Sequence, residues 1–306
     1  MTCPSRRVFL TGAAGLALLA ALGGCADDPT APEDPPGLHP ALRRPRRAGA
    51  VAFLRGGGNT REALLSLRGE PGVLVGLGPA LAPGLSAMPP FPGEVLLPER
   101  ANPDAFLQVE GDDDCSARLD ALLARVPAEV AWRTAVSRDT VDQAPSLPLQ
   151  RNPFGFVEGQ TNTPDVLLPD GSSLLAVRVI RLAHPLWDAD TPEVRTRVIG
   201  RHPDGTWLDG TAPTGTPDFA ADPDGATTAL DSHVRTMNPR TPGTAAPVML
   251  RRSWVHEGGG DDRGVVFMAF QKDFTTGFAR AQQRLTADAL HPYLLAVGGG
   301  YFSVPA

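Results

Sequence analysis

From residue 48 to residue 145 the chain reads strand, helix, strand, strand, helix, strand, and few folds accept that order. The strands fall at 49–54, 73–78, 105–109 and 129–136, and the helices at 59–68 and 116–126. Asn59 reads as an N-cap, with Glu62 three residues later completing a capping box. Asp112, Asp113 and Asp114 place negative charge at the start of the second helix, where the macrodipole favours it. The order is the ferredoxin-like pattern. Residues 146–306 repeat it loosely, with strands at 174–182, 264–271 and 301–304 and helices at 191–199, 277–284 and 287–297. We therefore expect an α+β fold of tandem ferredoxin-like halves with antiparallel sheets, the first over 48–145 and the second over 146–306.

The first 47 residues stand apart. Ser5-Arg6-Arg7-Val8-Phe9-Leu10 is a twin-arginine pattern, and the apolar run at 12–22 is too short for an ordinary spanning helix. Leu22-Gly23-Gly24-Cys25 resembles a bacterial lipobox. Residues 1–25 are thus expected to be a twin-arginine lipoprotein signal, with the chain exported to the cell envelope and held at the membrane by lipid on Cys25. The alternative is cleavage nearby with Cys25 unmodified. Residues 26–47 carry Pro29, Pro32, Pro35, Pro36, Pro40 and Pro45 among charges, and read as an extended or disordered tether. With Cys25 acylated, Cys115 has no partner for an internal disulfide.

Composition narrows the partners. The net charge of −6 and the lack of a basic stripe argue against a nucleic-acid ligand. A hydrophobic content of 42% allows a sizeable core. Lys272 is the only lysine among 28 basic residues, so positive charge comes almost entirely as planar guanidinium forks that suit carboxylates.

The chemistry gathers in the second half. Residues 202–247 form a long Pro/Gly-rich stretch of weak periodicity, and loops of that length inside a domain are usually functional or disordered. His233 lies within it, in Asp231-Ser232-His233-Val234-Arg235-Thr236-Met237-Asn238-Pro239-Arg240, on a short helix-like stretch. Before it comes Asn152-Pro153-Phe154-Gly155-Phe156-Val157-Glu158-Gly159-Gln160-Thr161-Asn162, and after it Met249-Leu250-Arg251-Arg252-Ser253 and Asp288. On an extended strand Arg252 points away from Arg251. His39, His184, His202, His256 and His291 sit in the tether, before prolines, or in loops and turns. No zinc, calcium-loop or serine-elbow spacing is present.

These segments, together with Gly264-Val265-Val266-Phe267, Phe270-Gln271-Lys272-Asp273 and Gly298-Gly299-Gly300-Tyr301-Phe302, resemble in order and spacing those of the dye-decolourising (DyP-type) haem peroxidases. The resemblance runs from about residue 72 to residue 305. It implies the family's fold, a dimeric α+β-barrel-like pairing of the two halves with haem in the second. Haem b would be bound non-covalently, since no Cys-x-x-Cys-His is present. His233 would be the iron's protein ligand, with Asp288 behind it raising its basicity. Glu158 would be the acid/base that moves a peroxide proton, and Arg251 the cation that stabilises departing charge. Ser253 would add a hydrogen bond, Phe267 would pack near the reacting face, and Arg201 would pair a haem propionate. The family usually has Asp where this chain has Glu158. For Asp288 the alternative is a helix-starting acid after Thr286. The implied partners are hydrogen peroxide and an organic one-electron donor, phenolic or dye-like; the oligomeric state is left open. Electron relay could run through Trp132, Trp187, Trp207, Trp254, Tyr293 or Tyr301. A second reading, motivated by Glu158 and a short first half, is a haem-binding or haem-iron acquisition lipoprotein with little peroxidase turnover.

Overall fold

A computed structural model of the protein describes residues 34, 37–111, 114–141, 149–158 and 163–306. The twin-arginine pair, Cys25, Asp112, Asp113 and residues 159–162 of the acidic loop lie outside the described residues.

The first half runs β1 (Ala48–Arg55), α1 (Gly58–Ser66), β2 (Val73–Leu77), β3 (Ala105–Gly111), α2 (Cys115–Leu123) and β4 (Glu129–Ser137). A short hairpin, β5 (Asp139–Val141) and β6 (Leu149–Arg151), leads to the second half. There follow β7 (Ser173–Leu182), α3 (His184–Ala189), α4 (Pro192–Ile199), α5 (His233–Met237), β8 (Leu250–Arg251), β9 (Trp254–Glu257), β10 (Arg263–Gln271), α6 (Phe278–Leu285) and β11 (Leu294–Val304).

Strand order is β2-β3-β1-β4 in the first half and β9-β10-β7-β11 in the second, the same ferredoxin-like order twice. Short antiparallel seams, Val136↔His256 with Ser137↔Val255 and Ser303↔Leu77, join the two sheets. Because β7 pairs with both β10 and β11, the strands close into a barrel. β8 and β9 lie along the same edge of β10 and are separated by Arg252 and Ser253.

Alternation along the strands builds two layers. Val51, Phe53, Phe106, Val177, Val179, Val266, Met268 and Phe302 fill the barrel. On the outer face of the first half, Ala52, Leu54, Leu107 and Val109 share one core cluster with Leu64 of α1 and Leu119 of α2. With both faces covered, β1 is buried at all six inner positions, which explains its unbroken apolar run. The second half differs: α5 packs on α4 and α6, and the outward residues of β7 and β10 line a cavity.

Three sequence expectations are corrected. Helix α1 begins at Gly58 after a Gly57 cap, not at Asn59, and no side chain caps it. Its first turn is fixed instead by Thr60, whose hydroxyl donates to the Pro127 carbonyl at 2.8 Å. Residues 287–297 are not a helix: a single 3-10 turn at His291–Tyr293 leads into β11 at Leu294. Pro292 disfavours a helical residue before it, Gly298 to Gly300 disfavour helix after it, and the β7 ladder takes the backbone. Finally, the stretch 38–47, read as the end of a tether, packs onto the domain. Ala41 enters the barrel core, His39 Nε2 lies 3.4 Å from the Val304 carbonyl oxygen, and Arg43 donates to the Val73 carbonyl at 3.0 Å. An apolar residue and buried hydrogen-bonding groups outweigh the disorder that proline and charge would favour.

Candidate active site

Helix α4 ends where the site begins. Thr191 caps its start, Pro192 occupies the first turn, and Gly200 ends it in the left-handed region at φ +84°. A Cβ on Gly200 would lie 2.6 Å from Val234 Cγ2 and 2.8 Å from Ser232 Oγ. Only glycine lets α4 approach α5 this closely, and α5 starts with His233.

The loop that carries α5 is ordered by Arg235. Its guanidinium donates to the Asp222 carboxylate at 2.9 Å and to the Thr228 carbonyl at 2.7 Å, and it lies 4.9 Å from the Phe219 ring. Asp204, Asp209 and Asp218 each accept from a backbone N–H two residues on, closing successive turns. Such local bonds replace the helix or strand ladder that the 202–247 sequence lacks.

His233 Nδ1 lies 2.7 Å from Asp288 Oδ2. The other oxygen, Oδ1, accepts from the Leu290 N–H at 2.8 Å. Asp288 therefore serves its own turn and His233 at once, with its side chain fully buried. Burial alone lowers the imidazole pKa, but the Asp288 charge and hydrogen bond outweigh it, and the pKa stands above the ordinary 6.5. Arg251 opposes this rise and Glu158 adds to it, so both lie within electrostatic reach of the ring.

Arg251 reaches the site from β8. Glu158 comes from a turn built on Asn152, whose side-chain oxygen accepts from the N–H groups of Phe154 and Phe156, both at 3.1 Å. Gly155, at φ +88°, permits the reversal. The Glu158 N–H donates to the Gln150 carbonyl at 2.7 Å, which holds the residue at the end of the hairpin.

One cavity, with about 1400 Å³ of empty space including its mouth, brings His233, Glu158, Arg251, Ser253, Arg201 and Phe267 to a common surface. Asp288 stands behind His233, outside the lining. Ile180 and Leu182 of β7, Val265 of β10, Leu285 of α6 and Leu290 give the cavity apolar walls. Arg201 is 4% exposed, its guanidinium lies 3.3 Å over the Trp207 ring, and it donates to the Gly205 carbonyl at 2.8 Å. Burial, then the nearby charges of Arg240 and Arg251, push its pKa down to about 10. Its Nε is buried without a hydrogen-bond partner among the described residues.

Two lining arginines carried no expected role. Arg240 stands in the left-handed region at φ 53°, 5.1 Å from the Trp207 ring, and adds a second guanidinium beside Arg201. Arg178 interrupts the apolar run of β7; it pairs with Glu94 and donates to Met88 Sδ at 3.3 Å. A charge amid the apolar residues 174–180 of β7 was the available signal for Arg178. Arg240 closes the segment 231–240 that carries His233, and that was its available signal.

Comparison with known proteins places this barrel and cavity in a class. The family described as Dyp-type peroxidase, C-terminal, matches residues 150–306, and the chain belongs to that family. Among curated relatives, a protein named deferrochelatase from Shigella sonnei is 31% identical over 256 residues, covering 74% of this chain and 60% of that protein. Its counterpart in Escherichia coli K12 is 30% identical over the same length. The chain thus spans about 60% of these relatives' length. Among solved structures, ferric DtpA from Streptomyces lividans superimposes with a TM-score of 0.74 at 25% identity, covering 88% of this chain and 90% of that one. A DyP-type peroxidase from Cellulomonas bogoriensis gives 0.73 at 26%, covering 86% and 91%.

Family membership implies a haem, and the residues present fit one. Apolar walls suit a flat macrocycle. His233 has Nδ1 committed to Asp288, which leaves Nε2 to ligate iron. The unpartnered Nε of Arg201 and the neighbouring Arg240 suit a carboxylate at the rim.

Proposed function

We propose that this chain is a haem-dependent peroxidase that reduces hydrogen peroxide and oxidises organic one-electron donors of phenolic or dye-like type. The observation that carries the reading is the 2.7 Å His233–Asp288 pair in a cavity that also receives Arg251 and Glu158. The bound group would be haem b, held without covalent links; it supplies the redox chemistry, two electrons to peroxide and one from each of two donor molecules.

The residues divide the remaining work. His233 would hold the group through Nε2, while the Asp288 carboxylate fixes the Nδ1–H tautomer and gives the imidazole more donor strength. Glu158 would take a proton from the near oxygen of peroxide and deliver it to the departing one. Arg251 would stabilise the negative charge that develops as the O–O bond breaks, and Ser253 would add a hydrogen bond there. Phe267 would keep water from that face, and Arg201 with Arg240 would pair a propionate. The joint presence of Glu158 and Arg251 in the cavity supports turnover over haem binding or delivery alone.

The leader sequence supports a place for the enzyme: export by the twin-arginine route and a lipid anchor at Cys25, with the folded body starting near residue 38. Titration of the haem-free protein with haemin tests the ligand assignment. A Soret band typical of histidine-ligated haem should form in the parent and be lost or shifted in His233→Ala. An unchanged band in His233→Ala would overturn the assignment.

A further inference from the structure

Behind the strand that carries Arg251 lies a buried charge cluster that the proposed peroxide chemistry does not use. Arg252 points opposite to Arg251, into the end of the barrel. There it donates to Glu110 Oε1 at 3.0 Å, and Arg138 donates to Glu110 Oε2 at 3.0 Å. The three side chains are at most 5% exposed. Two arginines share one carboxylate, so a net positive charge is buried, and backbone carbonyls satisfy the excess. Arg252 donates to Pro40 at 2.6 Å and Ala41 at 3.2 Å, and Arg138 donates to Arg46 at 3.1 Å.

The other bonds of Arg138 give the cluster its consequence. Its Nε donates to the Ser253 carbonyl at 2.9 Å and its Nη2 to the Arg252 carbonyl at 3.0 Å. These two carbonyls lie in the break between β8 and β9. Arg138 is itself fixed, with its guanidinium 3.1 Å from the Trp254 ring centre, and Trp254 Nε1 donates to Gln108 at 3.0 Å. A buried ion cluster is a weak source of stability, because apolar packing of the same volume often does as well. A rigid planar fork across two successive carbonyls supplies direction, which apolar packing does not.

We propose that Arg138, braced by Glu110 and Arg252, is a positioning group for the reacting face: by fixing the carbonyls of Arg252 and Ser253 it sets the angle at which Arg251 and Ser253 enter the cavity. The proposal rests on the role given above to Arg251. Residues 38–47 belong to the same device, since their carbonyls complete the cluster from the far side.

The test uses the haem-loaded full-length protein and cyanide, an anion that binds ferric haem where peroxide would. Arg138→Lys keeps the charge and removes the fork. Arg252→Met leaves Arg138 and Glu110 as a neutral pair, and decides by the same criteria if Arg138→Lys does not fold. We expect haem affinity to stay within about twofold of the parent in both, because neither side chain bonds to His233 or Asp288. Cyanide affinity should fall about tenfold in Arg138→Lys and about threefold in Arg252→Met. Adding Arg138→Lys to Arg251→Ala should weaken cyanide binding little further, since no guanidinium remains to be aimed. If Arg251→Ala weakens cyanide binding but the two positioning variants leave it unchanged, or if the effects simply add, the positioning role is overturned and the role of Arg251 stands. If Arg251→Ala itself changes neither cyanide affinity nor reaction with peroxide, both ideas fall.

Discussion

At Glu158 the question is one methylene. The hairpin bond from its N–H to Gln150 fixes the backbone, so the longer side chain must find its own reach. If it moves the peroxide proton, Glu158→Gln should slow the peroxide reaction by roughly 10²–10⁴-fold, while Glu158→Asp keeps it within about tenfold of the parent. Equal rates in parent and Gln variant would remove Glu158 from the mechanism. Asp288 makes a different prediction. Asp288→Asn keeps the bond to Leu290 possible but removes the charge behind His233, and should speed haem loss to an apomyoglobin acceptor by about 10–100-fold. Unchanged loss would mean that the carboxylate serves only its own turn. Glu158, His233, Arg251 and Asp288 were legible because each sits in a segment whose order along the chain carries meaning. That Asp288 fills two roles was not legible, since the turn that aims it exists only once β11 pairs with β7.

Among the elements, α4 was the most readable: Thr191, Pro192 and Gly200 mark both ends. Gly200 also makes the sharpest prediction. Gly200→Ala places a Cβ at a positive φ and 2.6 Å from Val234, and should cost about 1–3 kcal/mol in urea unfolding. Because the strain falls on α5, the Soret band of the haem-loaded variant should shift as well; a destabilised protein with an unshifted band would disconnect α4 from His233. The bounds of strands β8 and β9 were illegible for a plain reason. The two are two and four residues long, and pairing with β10, and for β9 with β4 as well, makes them strands. The helix expected at 287–297 does not form because Pro292 interrupts it, Gly298 to Gly300 follow it, and β11 pairs with β7 from Leu294 on.

Over the whole molecule, barrel closure decides what local sequence leaves open. It brings Arg138 and Glu110 from the first half behind Arg251 from the second, and it joins Arg100 to Asp262 by two hydrogen bonds of 2.8 and 2.7 Å. The Arg100 hydrogen bonds, against the effect of burial and with help from Arg181, hold the Asp262 pKa down to about 2 from 3.8. A carboxyl with a depressed folded pKa stabilises the fold fully above its unfolded value and ceases to as pH falls through the folded one. With solvent screening of this partly exposed pair, Asp262 should thus contribute about 1 kcal/mol above pH 4 that is lost towards pH 2. Asp262→Asn should flatten that part of the stability curve, and an unchanged acid limb would refute the linkage. The claim that matters most is peroxide chemistry at this cavity. Its most direct test mixes the haem-loaded protein with one equivalent of hydrogen peroxide in a stopped-flow spectrometer. We predict a fast change of the Soret band, slowed by about 10²–10³-fold in Arg251→Ala; a band that peroxide leaves unchanged, or only bleaches slowly, would contradict it.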